Sequence, residues 1–352
     1  MKSKREFGGV SIAARALFAK HLSVMLKSGV TLVEALLVSH EAARGKLKSV
    51  LKSVIESVES GRSLSASLGE FPSVFPPLFV QATYAGESSG TLAENLENIA
   101  RELEKERELI SKIRGALLYP AIVLAAAFVL ALALSFFVLP KIVPLFRSLR
   151  TELPLSTRML IGFSGFIEAH GTALLVGIIG GLTLILIVVR QKCIRPFTHR
   201  ILLWLPIVGG MVRSSNLVRF NRTLGMLLKS GVNIDEALII TKNSLGNYWY
   251  QKALFDAANR ITKGAKLSES LAEHSHLFPL IATRMIKVGE ESGRFEETLF
   301  YLANFYDADV DVRAKTLSTT LEPFLLLLIG LVVGGLALAI ITPIYEITGG
   351  IR

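Results

Sequence analysis

The sequence predicts an all-α membrane protein: two repeated cytoplasmic helical bundles plus three transmembrane helices. Three observations predict it. Three long runs carry no charged side chain, a soluble-looking stretch returns about 200 residues later, and apolar residues recur at helical rather than alternating spacing. Of 352 residues 51% are hydrophobic and 19% charged, against about 25% charged in ordinary soluble domains. The excess hydrophobicity is concentrated in the three runs.

Residues 1–116 are expected to form the first bundle. Phe18, Leu22, Met25 and Leu26 share one helical face, and the adjoining KSGV ends the helix at Gly29. Thr31 with Glu34 reads as a capping box that starts the next helix. Later, Gly86-Glu87-Ser88-Ser89-Gly90 reads as a turn between helices, with Thr91 and Glu94 capping the helix after it. Leu92, Leu96, Ile99, Leu103, Ile110 and Ile113 then line one side of a long helix with no stop signal before Pro120. A proline there predicts a bend.

The first span is assigned to 117–139, around the uncharged run Leu117–Val138. A short extracytoplasmic loop, 140–171, leads to the second span at 172–189. The third span is assigned to 321–343, around Phe324–Ile341, and an extracytoplasmic tail to 344–352. Each run approaches the roughly 20 apolar residues a helix needs to cross hydrocarbon. The start, MKSKREFGGVSIAARALFAK, lacks the uninterrupted apolar core of a secretory signal, so the spans themselves are expected to direct insertion.

The second bundle, 190–320, repeats the first. Phe18, Leu22, Lys27, Ser28, Gly29, Val30 and Glu34 align with Phe220, Leu224, Lys229, Ser230, Gly231, Val232 and Glu236 at an offset of 202. After one inserted residue the offset is 203. AGESSG (85–90) then matches VGEESG (288–293), and Pro120 matches Pro323. Asn233 with Glu236 stands where the first capping box stood. Gly29, Gly231, Gly86, Gly90, Gly289 and Gly293 are therefore read as turn residues, and Pro120 and Pro323 as bends. The second span has no counterpart; it is the return crossing.

Charge placement sets the orientation. Lys112 and Arg114 precede the first span, Arg190, Lys192, Arg195 and Arg200 come after the second, and Arg313 and Lys315 precede the third. Positive flanks prefer the cytoplasm, which puts the N-terminus and both bundles inside and the C-terminus outside. The net charge of +10 does not argue for nucleic acid. Residues 1–115 carry 16 basic and 13 acidic side chains and residues 190–318 carry 18 and 12, so the signs are interspersed rather than massed.

No catalytic, cofactor-binding or metal-ligating residue is assigned. The phosphate-loop pattern is absent, Cys193 is the lone cysteine, and His274 and His276 have no matching ligands in the first copy. GESSG has the form of a nucleophile elbow, but no strand pattern leads into it and Glu291 takes the place of Ser88 in the twin. Glu104, Glu106 and Glu108 align with Asp307, Asp309 and Asp311. These read as a solvated helix face, with a basic partner or an adventitious cation as the alternatives. Gly177-x-x-x-Gly181 and Gly330-x-x-x-Gly334 permit close helix approach in the bilayer and are compatible with a homo-oligomer.

The run KIRGALLYPAIVLAAAFVLALALSFFVLP, with LKSGV, the GE(S/E)SG segments and the closing PIYE, resembles the platform proteins of type II secretion systems and type IV pili, the F family. The resemblance covers about 15–346 in both copies. It implies a non-enzymatic platform in the inner (cytoplasmic) membrane that couples a cytoplasmic hexameric ATPase to extraction and assembly of pilin or pseudopilin subunits. It implies contacts with other inner-membrane assembly proteins, and no nucleic acid. In that setting Glu87, Glu290, Glu104, Glu106, Asp307 and Asp309 are candidate partner-binding residues. Reversing the charge of Glu87 and Glu290 would then lower pilus output at unchanged abundance. The rival readings are a small transporter or channel subunit, and a membrane-anchored scaffold outside a pilus system. A transporter needs a polar pathway, and the spans have no ionisable residue at their centres.

Overall fold

The computed structural model describes residues 9–133 and 191–349, except Lys192 and Ile207, together with isolated positions between 162 and 187. Apart from those positions, the expected loop and second span lie outside the described residues. The described chain is helical without strands. It falls into two compact units, Met1–Ile113 with His199–Arg313, and Arg114–Thr198 with Ala314–Arg352.

In the first half the helices are α1 (Ile12–Lys27), α2 (Leu32–Ala42), α3 (Gly45–Glu59), α4 (Leu64–Gly69), α5 (Pro77–Ser89) and α6 (Leu92–Ala133). After α7 (Arg195–Trp204) come α8 (Val208–Lys229), α9 (Ile234–Ser244), α10 (Tyr248–Ile261), α11 (Leu267–Ala272), α12 (Leu280–Ser292) and α13 (Phe295–Gly349). The sets α1–α6 and α8–α13 keep the same order. α2 and α9 have 11 residues each, α4 and α11 have 6, and α5 and α12 have 13, while α1 and α8 have 16 and 22 and α3 and α10 have 15 and 14.

Local chemistry sets the boundaries. Ser11, Thr31 and Ser63 accept from the backbone N–H three residues on, capping α1, α2 and α4. Gly29 (φ 83°) and Gly231 (φ 81°) take the left-handed conformation after α1 and α8, and Gly90 (φ 71°) and Gly293 (φ 69°) after α5 and α12. Three expectations are corrected. Asn233 makes no side-chain cap bond, and the Glu236 carboxylate accepts from Gln81 instead of reaching back. Thr91 Oγ1 meets Ser89 and the Asn95 side chain rather than capping a backbone N–H. Gly86 and Gly289 are not turn residues; each lies inside the last turns of a helix. A Cβ on Gly86 would sit 2.9 Å from Leu92 Cα, and one on Gly289 would sit 2.8 Å from Thr298 Oγ1. Their missing side chains let α5 and α12 come close to the helices after them.

Each bundle of the first unit has an aromatic centre. In the first, Phe18, Phe75 and Phe79 pack with ring centroids 5.1–6.2 Å apart. Their counterparts are Phe220, Phe278 and Ala282. The lost ring is replaced from another helix: Tyr250, at the position of Leu47, packs 5.4 Å from Phe278 and donates its hydroxyl to Leu277 O at 2.8 Å. Volume is thus kept while its source moves from α12 to α10.

In the second unit, the part of α6 after Ile113 and the part of α13 after Arg313 carry exposed apolar side chains, including Leu118, Ile122, Val129, Leu326, Leu327 and Leu331. Both helices are long and apolar enough to cross a membrane. Helical geometry continues through Pro120 and Pro323. α13 also runs past Pro343, where the span was expected to end, because the next breakers are Gly349 and Gly350. Phe79→Ala should destabilise the first bundle by about 3–5 kcal/mol, since Leu47 cannot supply the ring that Tyr250 supplies to the second. Thermal unfolding of the detergent-solubilised protein checks this.

Candidate functional site: a charged seam between the helix bundles

Two sets of contacts inside the first unit join the first bundle to the second. One is apolar and polar. α5 packs against α8 and α9, Met226 of α8 is buried in the core cluster of the first bundle, Gln81 Nε2 donates to Glu236 Oε1 at 3.0 Å, and Ser230 Oγ donates to Asn95 Oδ1 at 3.0 Å. An open groove lined by Ser65, Gln81, Ser88, Asn233 and Glu236 runs along this junction.

The other set is ionic and uses the acidic residues singled out from the sequence. Arg219 grips Glu106 with two parallel bonds, Nε to Oε2 at 3.1 Å and Nη2 to Oε1 at 2.8 Å. Lys112 Nζ lies 3.3 Å from Asp307 Oδ1 and 3.0 Å from Asp311 Oδ2. Burial pulls the Lys112 pKa down, but the two aspartates outweigh it and hold the value above that of a free lysine. Asp309 accepts from Arg313 at 2.6 Å and from the Ser214 hydroxyl. The Arg313 guanidinium lies across Gly210, where any Cβ would collide with it. Glu104 has a local partner, Lys20 at 3.4 Å. Its equivalent pair, Arg222 with Asp307 at 3.7 Å, sits in the second bundle.

Arg222 is the most constrained member of the seam. It is buried, with Glu102 at 3.8 Å and Asp307 at 3.7 Å, and its Nε and Nη2 have no hydrogen-bond partner among the described residues. Burial pushes the Glu102 carboxyl up to about 7, with Arg222 pulling it back and Glu106 adding to the rise. Sequence reasoning missed both residues. Arg222 stands where Lys20 stands in the first copy, and nothing in the spacing marked it as covered.

Glu87 and Glu290 have an internal role that the sequence reading did not assign. The backbone N–H groups of Leu64 and Ser65 donate to the two Glu87 oxygens at 2.5 and 2.9 Å. Those of Leu267 and Ser268 donate to Glu290 at 2.8 and 3.2 Å. Each carboxylate thus closes the N-terminus of the short helix α4 or α11, where free N–H groups and the helix dipole favour negative charge. Among the described residues no cluster of His, Cys, Asp and Glu is arranged to hold a metal ion.

The fold and the seam define an all-α membrane protein whose paired helical bundles are joined by buried and half-buried charge. The chain belongs to the family of type II secretion system protein F, whose model matches residues 18–140 and again 220–343. It is 36% identical to the type IV pilus assembly protein PilC of Thermus thermophilus over 97% of this chain and 84% of that protein. It is 32% identical to PilC of Myxococcus xanthus, over 98% and 83% of the two chains. To the type II secretion system protein F of Pseudomonas aeruginosa it is 35% identical, over 97% and 86%.

Charge reversal at Glu87 or Glu290 is accordingly expected to lower stability, where the sequence alone suggested unchanged abundance. Glu87→Gln should cost about 1–3 kcal/mol, read as a lower melting temperature and lower membrane abundance. The Glu102 carboxyl is raised from about 4.5 unfolded to about 7 folded, so its neutral form favours the folded state. That contribution is full below pH 4.5 and is lost as pH rises through 7. Glu102→Gln should therefore remove part of the fall in melting temperature between pH 5 and 8, measured by thermal scans across that range.

Proposed function

We propose that the chain is the non-enzymatic inner-membrane platform of a type II secretion or type IV pilus machine. In this reading it couples a cytoplasmic hexameric ATPase to the extraction and assembly of pilin or pseudopilin subunits. The observation that carries it is the match of one family to both halves of the chain, with relatives named for both kinds of machine.

The topology proposed with it has a cytoplasmic bundle at 1–116, spans at 117–139, 172–189 and 321–343, an outer loop at 140–171, a second cytoplasmic bundle at 190–320, and an extracytoplasmic tail from 344. The N-terminus is cytoplasmic. The lipid-compatible ends of α6 and α13 support the first and third spans. Motion received by a bundle would reach the bilayer along these two helices, each an unbroken helix from the bundle to its apolar segment. Of the six acidic residues proposed to meet partners, Glu104 keeps the most exposed carboxylate in the seam. It is therefore the first choice for a contact with the ATPase or another inner-membrane assembly protein.

Crosslinking in native membranes and then affinity purification of this chain tests the reading. The expected result is co-purification of a secretion-type ATPase and pilin-like subunits, with loss of pili or of secreted protein when the chain is deleted. Recovery of solute-binding or channel subunits instead, with assembly intact in the deletion strain, overturns it.

A further inference from the structure

Besides the α6–α13 ion pairs, the junction between the two bundles uses a different face of each. The first bundle offers α5 and the start of α6, through Gln81 and Asn95. The second offers α8, the turn after it and α9, through Ser230 and Glu236. A junction of this head-to-tail kind leaves one matching face unused on each partner. Here the unused faces are α1, its turn and α2 in the first bundle, and in the second α12 with the side of α13 that carries Tyr301 and Phe305, Phe300 on the same helix being packed against the first bundle.

Burial shows that these faces lack the cover their counterparts have. Over matched positions, α8 has 13 buried residues within 214–229 and α1 has five within 12–27. Met226 is 4% exposed while the equivalent Val24 is 56% exposed; Ile240 is 7% exposed and the equivalent Val38 is 48%. The opposite face repeats the pattern. Val288 is 63% exposed where Ala85 is half-buried, and Tyr301 and Phe305 stand exposed at the positions of Asn98 and Glu102. Exposed apolar side chains thus stand on both faces at positions whose counterparts are covered.

The polar residues name the occupant. Gln81 and Glu236 bond across the internal junction. At the unused faces the same two positions hold Arg284 and Glu34, both exposed, and neither forms an ion pair among the described residues. The neutral pair within the chain thus has a charged, complementary version between chains. Likewise Ser230 and Asn95 have Ser28 and Thr298 as counterparts, two hydroxyls able to bond one another.

We propose that the α1–α2 face of one chain docks on the α12–α13 face of a second copy of this chain, with Glu34 paired to Arg284 across the contact. Two chains related by a twofold axis use both unmatched faces of each. The contact then joins four bundles by alternating internal and external versions of one junction. The proposal is independent of which machine the chain serves.

The test uses the full-length chain in membranes, with Cys193→Ser to remove the exposed native thiol. Chains carrying Glu34→Cys and chains carrying Arg284→Cys are co-expressed with different tags and treated with a bismaleimide of about 10 Å reach, since two positions joined by a long ion pair lie beyond disulfide distance. A crosslink joining the two tagged chains is expected. No such product overturns the proposal. In parallel, Glu34→Arg and Arg284→Glu should each weaken association of the solubilised chains at least about tenfold, and the double reversal should restore it to within about threefold. Melting temperatures of the single variants separate weakened association from misfolding. Failure of the double reversal to restore association in folded protein overturns the assignment of the pair.

Discussion

Helix α8 has to satisfy two cores at once, and the arrangement of the first unit depends on that constraint. Most helices at a protein surface bury one stripe and wet the other. α8 is covered on the side that faces its own bundle, through Phe220, Leu224 and Leu227, and also on the side that Met226 turns toward the first bundle. The cost of the second burial falls on Arg222, whose charge is taken out of water with carboxylates at nearly 4 Å rather than in hydrogen-bond contact. A lone buried guanidinium would be strongly unfavourable. The nearby acids, Glu102 among them, make it tolerable, and the raised carboxyl of Glu102 is the reverse side of the same burial.

The remaining ion pairs build on this burial. Glu106 and Lys112 of α6 and Asp307 and Asp311 of α13 take partners across the junction, so the two long helices are tied to each other and to α8 by their charged faces. Such pairs contribute modest net stability, yet they penalise any other register, because a slip of one turn sets like charges side by side.

Much of the architecture was legible in the sequence. Gly29, Gly231, Gly90 and Gly293 announce helix ends because only they adopt left-handed backbone without strain, and the uncharged runs announce the apolar ends of α6 and α13. What could not be read is anything that depends on which faces of the two copies meet. Glu106 and Asp307 look like solvated helix residues in a linear pattern, since the arginine and lysine that cover them lie about 110 and 200 positions away in the chain. Glu87 and Glu290 looked outward-facing for the same reason. Their donors are backbone N–H groups of another helix, 22–23 residues back, and no side-chain pattern signals a backbone donor. Gly86 and Gly289 were misread because a glycine that serves as a notch for a neighbouring helix has the same letter as one that serves as a hinge.

The third ring in each aromatic centre has a further consequence. One half draws it from Phe79 beside Leu47, the other from Tyr250 beside Ala282. Two positions must change together to pass from one solution to the other, and changing one alone leaves either a gap or a surplus ring. Drift between the halves is therefore gated in pairs, so helices exchanged singly between them would be incompatible.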